Sequence, residues 1–110
     1  MLSQLNITCP IGNASGVNCY THDDLDDLVK SDCGFIVSKS ATLHSRKGNN
    51  EPRFWCNDKI SLNSMGLPNY GINYYTDWIK HNYNKKPTLL SIANVNNDET
   101  IQMIQKIYPM

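Results

Sequence analysis

Three short clusters of this sequence carry residue types that could do chemistry. The segment Asn63-Ser64-Met65-Gly66-Leu67-Pro68-Asn69 places an amide side chain and several successive backbone N–H groups in a turn, opened by Gly66 and ended by Pro68. Such a turn can donate to a planar, anionic ligand, although a glycine–proline turn can also simply reverse the chain. Lys39-Ser40 follows a wholly apolar run, and small residues flank the lysine. A cation there can stabilise ligand charge, whereas an isolated lysine at a strand end is otherwise a solvated side chain. Asn13-Ala14-Ser15-Gly16 is small enough to let a ligand approach the backbone.

Other residues are chemically capable but badly spaced. Cys9, Cys19, Cys33 and Cys56 form no C-x-x-C pair, so neither zinc nor a dithiol redox motif is supported. Met1–Pro10 has neither the basic nor the apolar region of a secretory leader, and the thiols are expected to be reduced, in a soluble cytoplasmic protein. Asp23-Asp24-Leu25-Asp26-Asp27 suits the first turn of a helix, where carboxylates meet the positive end of the dipole, and no metal site is assigned. Ten basic residues balance ten acidic ones, so no long-range field recruits nucleic acid or an anionic membrane. No apolar run approaches the ~20 residues of a membrane span.

The elements that must position these clusters follow from periodicity. Pro10 to Asn13 is a short extended stretch. Thr21 is placed as an N-cap, with Asp24 three residues on and Leu25, Leu28 and Val29 at helical spacing as far as Lys30. Phe35-Ile36-Val37 reads as a buried parallel strand. Ala41 to Leu62 has no helical pattern, which for about twenty residues suggests a functional excursion or a small hairpin. A helix is expected over Tyr74–Tyr83 with Tyr74, Trp78 and Ile79 inward, then a third strand over Thr88–Ile92. A last helix is expected to be capped by Asn97 or Asp98, with Ile101, Ile104 and Ile107 in register. Strand–helix alternation of this kind is the grammar of a parallel α/β sheet, in which ligands bind at the carboxyl ends of strands. From pattern alone, a small open sheet and part of a barrel are equally acceptable.

Taken together, the blocks Asn13-Ala14-Ser15-Gly16-Val17, Lys39-Ser40-Ala41-Thr42-Leu43, Arg46-Lys47-Gly48-Asn49 with Glu51-Pro52-Arg53, and Asn63 to Gly71 followed by Tyr74-Tyr75 resemble the dihydroorotate dehydrogenase family, specifically its soluble class 1A branch. The resemblance continues through Leu90-Ser91-Ile92-Ala93 and covers nearly the whole chain. One departure is Asn50, where the family usually has proline.

The resemblance implies an FMN-binding (β/α)8 barrel that oxidises dihydroorotate to orotate in pyrimidine synthesis, with fumarate as acceptor and homodimers in the full-length family. Residues 1–110 would be its N-terminal portion, roughly the first three βα units with an excursion after the second strand, and no second domain. By the same resemblance, Ala14 and Ser15 would pack on the flavin through their backbone and Ser40 would contact FMN. Lys39 would touch both FMN and substrate, its charge stabilising the reduced flavin and the substrate carboxylate. Asn63 would hydrogen-bond the pyrimidine ring, beside Ser64, and the amides of Met65, Gly66 and Leu67 would hold the carboxylate. The family's cysteine base belongs to a loop after the fourth strand and its phosphate-binding glycines come later still. No catalytic residue is therefore assigned here, and the chain alone is expected to be inactive and not to retain FMN. Two other readings are a non-catalytic shortened paralogue that pairs with a full-length subunit, and a small α/β domain that binds another anion through the Lys39 and Asn63 clusters.

Overall fold

A computed structural model describes residues 5–110, so the first four residues of the Met1–Pro10 segment lie outside the described structure. In chain order it has a short 3-10 turn (Val17–Cys19), α1 (His22–Lys30), β1 (Ile36–Val37), β2 (Phe54–Cys56), β3 (Ser61–Asn63), α2 (Ile72–Asn82), β4 (Thr88–Leu89) and α3 (Asn97–Ile107).

Three extended segments run parallel in sequence order. Gly12 bridges Phe35, and β1 pairs with β4 through Ile36–Thr88 and Val37–Leu89. Parallel neighbours joined by helices are the α/β arrangement that the alternation implied. Two glycines allow the first segment to lie against β1. A Cβ on Gly12 would enter the Phe35 ring, and one on Gly34 would enter the backbone of Cys9. Ile36 is fully buried on the helix side, while Leu89, beside Val37, is 41% exposed.

α1 forms where expected. The Thr21 hydroxyl accepts from Asp24 N–H at 3.1 Å, and the Asp24 carboxylate accepts from Thr21 N–H at 2.8 Å and Tyr20 N–H at 3.1 Å. These backbone donors hold the Asp24 carboxyl below its ordinary range. Two further carboxylates of the cluster have structural partners: Asp26 accepts from the Trp78 indole at 2.9 Å, and Asp27 pairs with Lys30 at 3.3 Å. The four cysteines are free thiols.

The core joins Leu25, Ile36, Ala41, Ile72, Tyr75, Trp78 and Met103. Here the helix faces differ from expectation. α2 starts at Ile72, and its fully buried tyrosine is Tyr75 rather than Tyr74. Tyr74 is only half-buried because its hydroxyl accepts the His22 N–H at 2.9 Å, at the start of α1. Ile79 also packs only partly. In α3 the N-cap is Asn96, whose side chain accepts from Glu99 N–H at 2.9 Å, and not Asn97 or Asp98. Met103 is its buried residue, whereas Ile101 and Ile104 are half exposed. Isoleucine spacing located the helix, but the rotation was set by which side chain fits against α2 and the sheet.

The excursion is the hairpin. β2 and β3 pair antiparallel with Trp55 opposite Leu62, and the Asn57 side chain closes the turn by accepting from Lys59 and Ile60 N–H at 2.9 Å each. Phe54, Trp55, Ile60 and Leu62 are each more than half exposed. Among the described residues no helix is long and apolar enough to cross a membrane.

Replacing the cap by Thr21→Ala should destabilise the protein by about 1 kcal/mol. Because the Asp24 pKa is lowered on folding, its contribution is present above the unfolded carboxylate pKa and is lost as pH falls through the folded value. Thermal denaturation of wild type and Asp24→Asn should therefore differ at neutral pH and converge at acid pH; curves separated equally at both would count against it.

Candidate functional site

The first feature that shapes the site is a bulge in the strand carrying the lysine. Val37 faces Leu89 and Ala41 faces Ile92, which is four steps on one strand against three on the other. The extra residue falls within Ser38–Ser40. Buried Ser38 compensates for it by accepting the Ser91 N–H on its hydroxyl at 3.0 Å. Lys39 emerges from this bulge and its ammonium donates to Gly16 O at 3.0 Å, tying it to the turn after the first extended segment. Its N–H donates to Cys19 O at 3.2 Å.

Asn13 holds the neighbouring strand end. Its Nδ2 donates to Val37 O and its Oδ1 accepts from Val37 N–H, both at 2.7 Å, so the side chain stands in for one rung of the sheet. A hydroxyl chain then crosses all three strand ends, with Ser15 to Ser40 at 2.9 Å and Ser40 to Ser91 at 2.8 Å. Cys19 lies beneath this turn, and burial pushes its thiol pKa up. Fully buried, with its Sγ donating to Gly16 O at 3.4 Å, Cys19 is a packing group.

The Asn63–Asn69 segment is fastened from its far end. Asn69 is 1% exposed. Its Oδ1 accepts from Thr42 N–H at 3.1 Å and Gly71 N–H at 2.8 Å, and its Nδ2 donates to Leu67 O at 2.8 Å and Thr42 Oγ1 at 3.0 Å. Leu67 sits at φ +56 and Gly66 at φ +76. A left-handed leucine is an uncommon conformation, sustained where the surroundings over-determine it. The Ser64 N–H donates to Arg53 O at 2.8 Å, while the N–H groups of Met65, Gly66 and Leu67 have no acceptor among the described residues.

One cleft of about 520 Å³ gathers Ser15, Gly16, Lys39, Ser40, Asn63, Met65 and Leu67, with Val17, Phe54 and Pro68 supplying apolar wall. Six of the nine residues given site roles by the family resemblance therefore line one space. Ala14, Ser64 and Gly66 do not. The Ala14 carbonyl accepts from Asn13 Nδ2 at 3.0 Å. Ser64 turns toward the adjoining hollow with Pro52, Arg53 and Trp55. Gly66 is packed against Asn49, whose atoms would lie 2.5–2.6 Å from an added Cβ. Asn13, Asn49 and Asn69 went unassigned because an asparagine that supports backbone looks, in sequence, like any polar loop residue. Phe54 was missed because no local pattern links it to the cleft, and Val17, within the Asn13–Val17 block, was given no role.

A parallel α/β scaffold with one cleft at the carboxyl ends of its first strands defines the general class. The chain belongs to the dihydroorotate dehydrogenase family, whose family model matches residues 1–110. Dihydroorotate dehydrogenase (fumarate) of Trypanosoma brucei brucei is 40% identical over 103 residues, covering 92% of this chain and 33% of its own length. Dihydroorotate dehydrogenase A (fumarate) of Lactococcus lactis subsp. lactis is 44% identical over 102 residues, 89% of this chain and 33% of the relative. The Saccharomyces cerevisiae protein named dihydroorotate dehydrogenase (fumarate) is 43% identical over 102 residues, 89% and 32% respectively. The chain thus spans about a third of the length of the curated relatives it matches.

Asn69→Leu should leave the Thr42 and Gly71 N–H groups and the Leu67 carbonyl unpaired. The expected loss is roughly 2–3 kcal/mol of stability by urea denaturation; an unchanged midpoint would show that the amide is dispensable.

Proposed function

We propose that residues 1–110 are the N-terminal portion of a (β/α)8-barrel dihydroorotate dehydrogenase, contributing the first βα units and no second domain. The whole protein oxidises dihydroorotate to orotate, with FMN as cofactor and fumarate as acceptor, as a soluble cytoplasmic enzyme. The observation that carries this reading is the convergence of Ser15, Lys39, Ser40, Asn63, Met65 and Leu67 on one cleft, although they are spread over 53 positions of sequence.

The residues present fit a flavin. Ser15 and Gly16 leave the backbone accessible, Gly16 having no atom closer than 3.8 Å to where a Cβ would lie. Val17, Leu67 and Pro68 offer apolar surface to a planar ring, and Lys39 brings a cation to the same cleft. Ser15, Lys39 and Ser40 would hold FMN, with Ala14 in the backbone just before them, and the cofactor when bound supplies the acceptor for the two electrons leaving the substrate.

The chain's own residues bind and orient. The Lys39 ammonium, kept on one course by Gly16 O, adds preorganised positive charge where negative charge develops. Asn63, on the last position of β3, brings an amide with no side-chain partner among the described residues, suited to the donors and acceptors of a pyrimidine ring. The free N–H groups of Met65 and Leu67, which line the cleft, and of Gly66 in the backbone between them, receive the substrate carboxylate, with Ser64 beside them. Phe54 and the hairpin narrow the mouth and displace water, which strengthens each of these interactions.

The test is a chimera of this segment with the remaining two thirds of the Lactococcus lactis relative, purified with flavin. Dihydroorotate-dependent reduction of fumarate is the expected result, and absence of turnover in a flavin-loaded chimera would overturn the proposal. In that protein Lys39→Ala should lower the rate by roughly 10²–10³ with little change in melting temperature. Asn63→Ala should weaken orotate binding, followed by flavin absorbance, by about 1–3 kcal/mol. Near-normal turnover or unchanged orotate affinity would remove the respective residue from the site.

A further inference from the structure

The loop Ser64–Leu67 has its carbonyl groups and its N–H groups sorted onto opposite duties. Every carbonyl is held by a donor from the scaffold. Ser64 O accepts from Asn49 Nδ2 at 2.8 Å and Met65 O from Asn49 N–H at 2.9 Å. Gly66 O accepts from Arg46 Nε at 3.3 Å and Leu67 O from Asn69 Nδ2 at 2.8 Å. The N–H groups of Met65, Gly66 and Leu67 are left without acceptors among the described residues.

In a planar trans peptide the C=O of one residue and the N–H of the next point in opposite directions. A donor that grips the carbonyl of Ser64 therefore fixes the Met65 N–H on the other side of the loop. In the same way the grip on Met65 O fixes the Gly66 N–H. Both grips come from a single residue, Asn49, one through its side chain and one through its backbone. The Asn49 amide also donates to Ser64 Oγ at 3.0 Å. Glycines on both sides make the contact possible. Gly48 turns the chain at φ +81, and a side chain on Gly66 would collide with Asn49.

We infer that Asn49 is a positioning residue for carboxylate recognition: it lies outside the cleft and orients the Met65 and Gly66 N–H groups that receive a ligand carboxylate. This rests on the proposed reading of the cleft as the orotate site. Asn49 is exposed and belongs to no core contact, so its replacement acts on the loop and leaves the sheet alone. Asn49→Asp is nearly isosteric but puts an acceptor against the Ser64 carbonyl, which favours rotation of that peptide.

In the flavin-loaded chimera, orotate is compared with uracil, the same ring without the carboxylate, by flavin spectral titration. Asn49→Asp should raise the orotate Kd roughly ten-fold or more, with uracil affinity, flavin content and melting temperature at the parent's values. An unchanged orotate Kd, or equal losses for orotate and uracil, would overturn the inference, since a general structural role predicts the latter. Where Asn49→Asp does not retain flavin, Asn49→Ala, which removes only the side-chain grip, should still show a carboxylate-selective loss of several-fold; a non-selective loss there overturns the inference too. A parent chimera that holds flavin yet binds neither ligand would overturn the functional reading itself, a result distinct from any behaviour of Asn49.

Discussion

The buried amide of Asn69 is the interaction on which the cleft depends. It holds the chain just after the lysine-bearing strand, through Thr42, and the left-handed turn at Leu67, through that residue's carbonyl. Its neighbour Gly71 donates to the same oxygen, fixing the entry to α2. One side chain thus couples a strand end, a ligand-facing loop and a helix start. An apolar residue of the same size would fill the volume but leave buried backbone groups without partners. The left-handed leucine persists because this coupling and the glycine before it leave the loop no relaxed alternative.

Asparagine is used the same way three times around the cleft. Asn13 replaces a rung of the sheet, Asn49 grips two carbonyls of the loop, and Asn69 ties the loop to Thr42, beyond the lysine-bearing strand. An amide offers donor and acceptor together without charge, so it can complete backbone pairing where the strands have ended, and it adds no field to compete with Lys39.

The two faces of the strands are used differently. The helix side is packed by Leu25, Tyr75, Trp78 and Met103 around Ile36, while Leu89 on the other side remains substantially exposed. An apolar run such as Phe35-Ile36-Val37 suits a strand buried on both faces, the condition of strands within a closed barrel. The hairpin, in contrast, exposes aromatic and aliphatic groups at its tip and along both strands while its base supplies Phe54 and Asn63 to the cleft.

Sequence by itself determined the local events: the Thr21–Asp24 capping box, the parallel strands at Phe35–Val37 and near Leu89, and the chemistry of Lys39 and Asn63. Each depends on residues within a few positions of one another, where periodicity and side-chain–backbone geometry act without distant partners. The family resemblance, carried by four spaced blocks, was legible for the same reason. Tertiary structure decided what depends on fit. It rotated α3 to bury Met103 in place of Ile101 and Ile104, buried Tyr75 and diverted Tyr74 to the start of α1, and placed the bulge that brings Lys39 beside Gly16. It also decided that Gly66 serves the close approach of Asn49 and that Ala14 and Ser64 stand outside the cleft lining. Those outcomes depend on steric volume and on backbone donors contributed from tens of residues away, which no window of sequence contains.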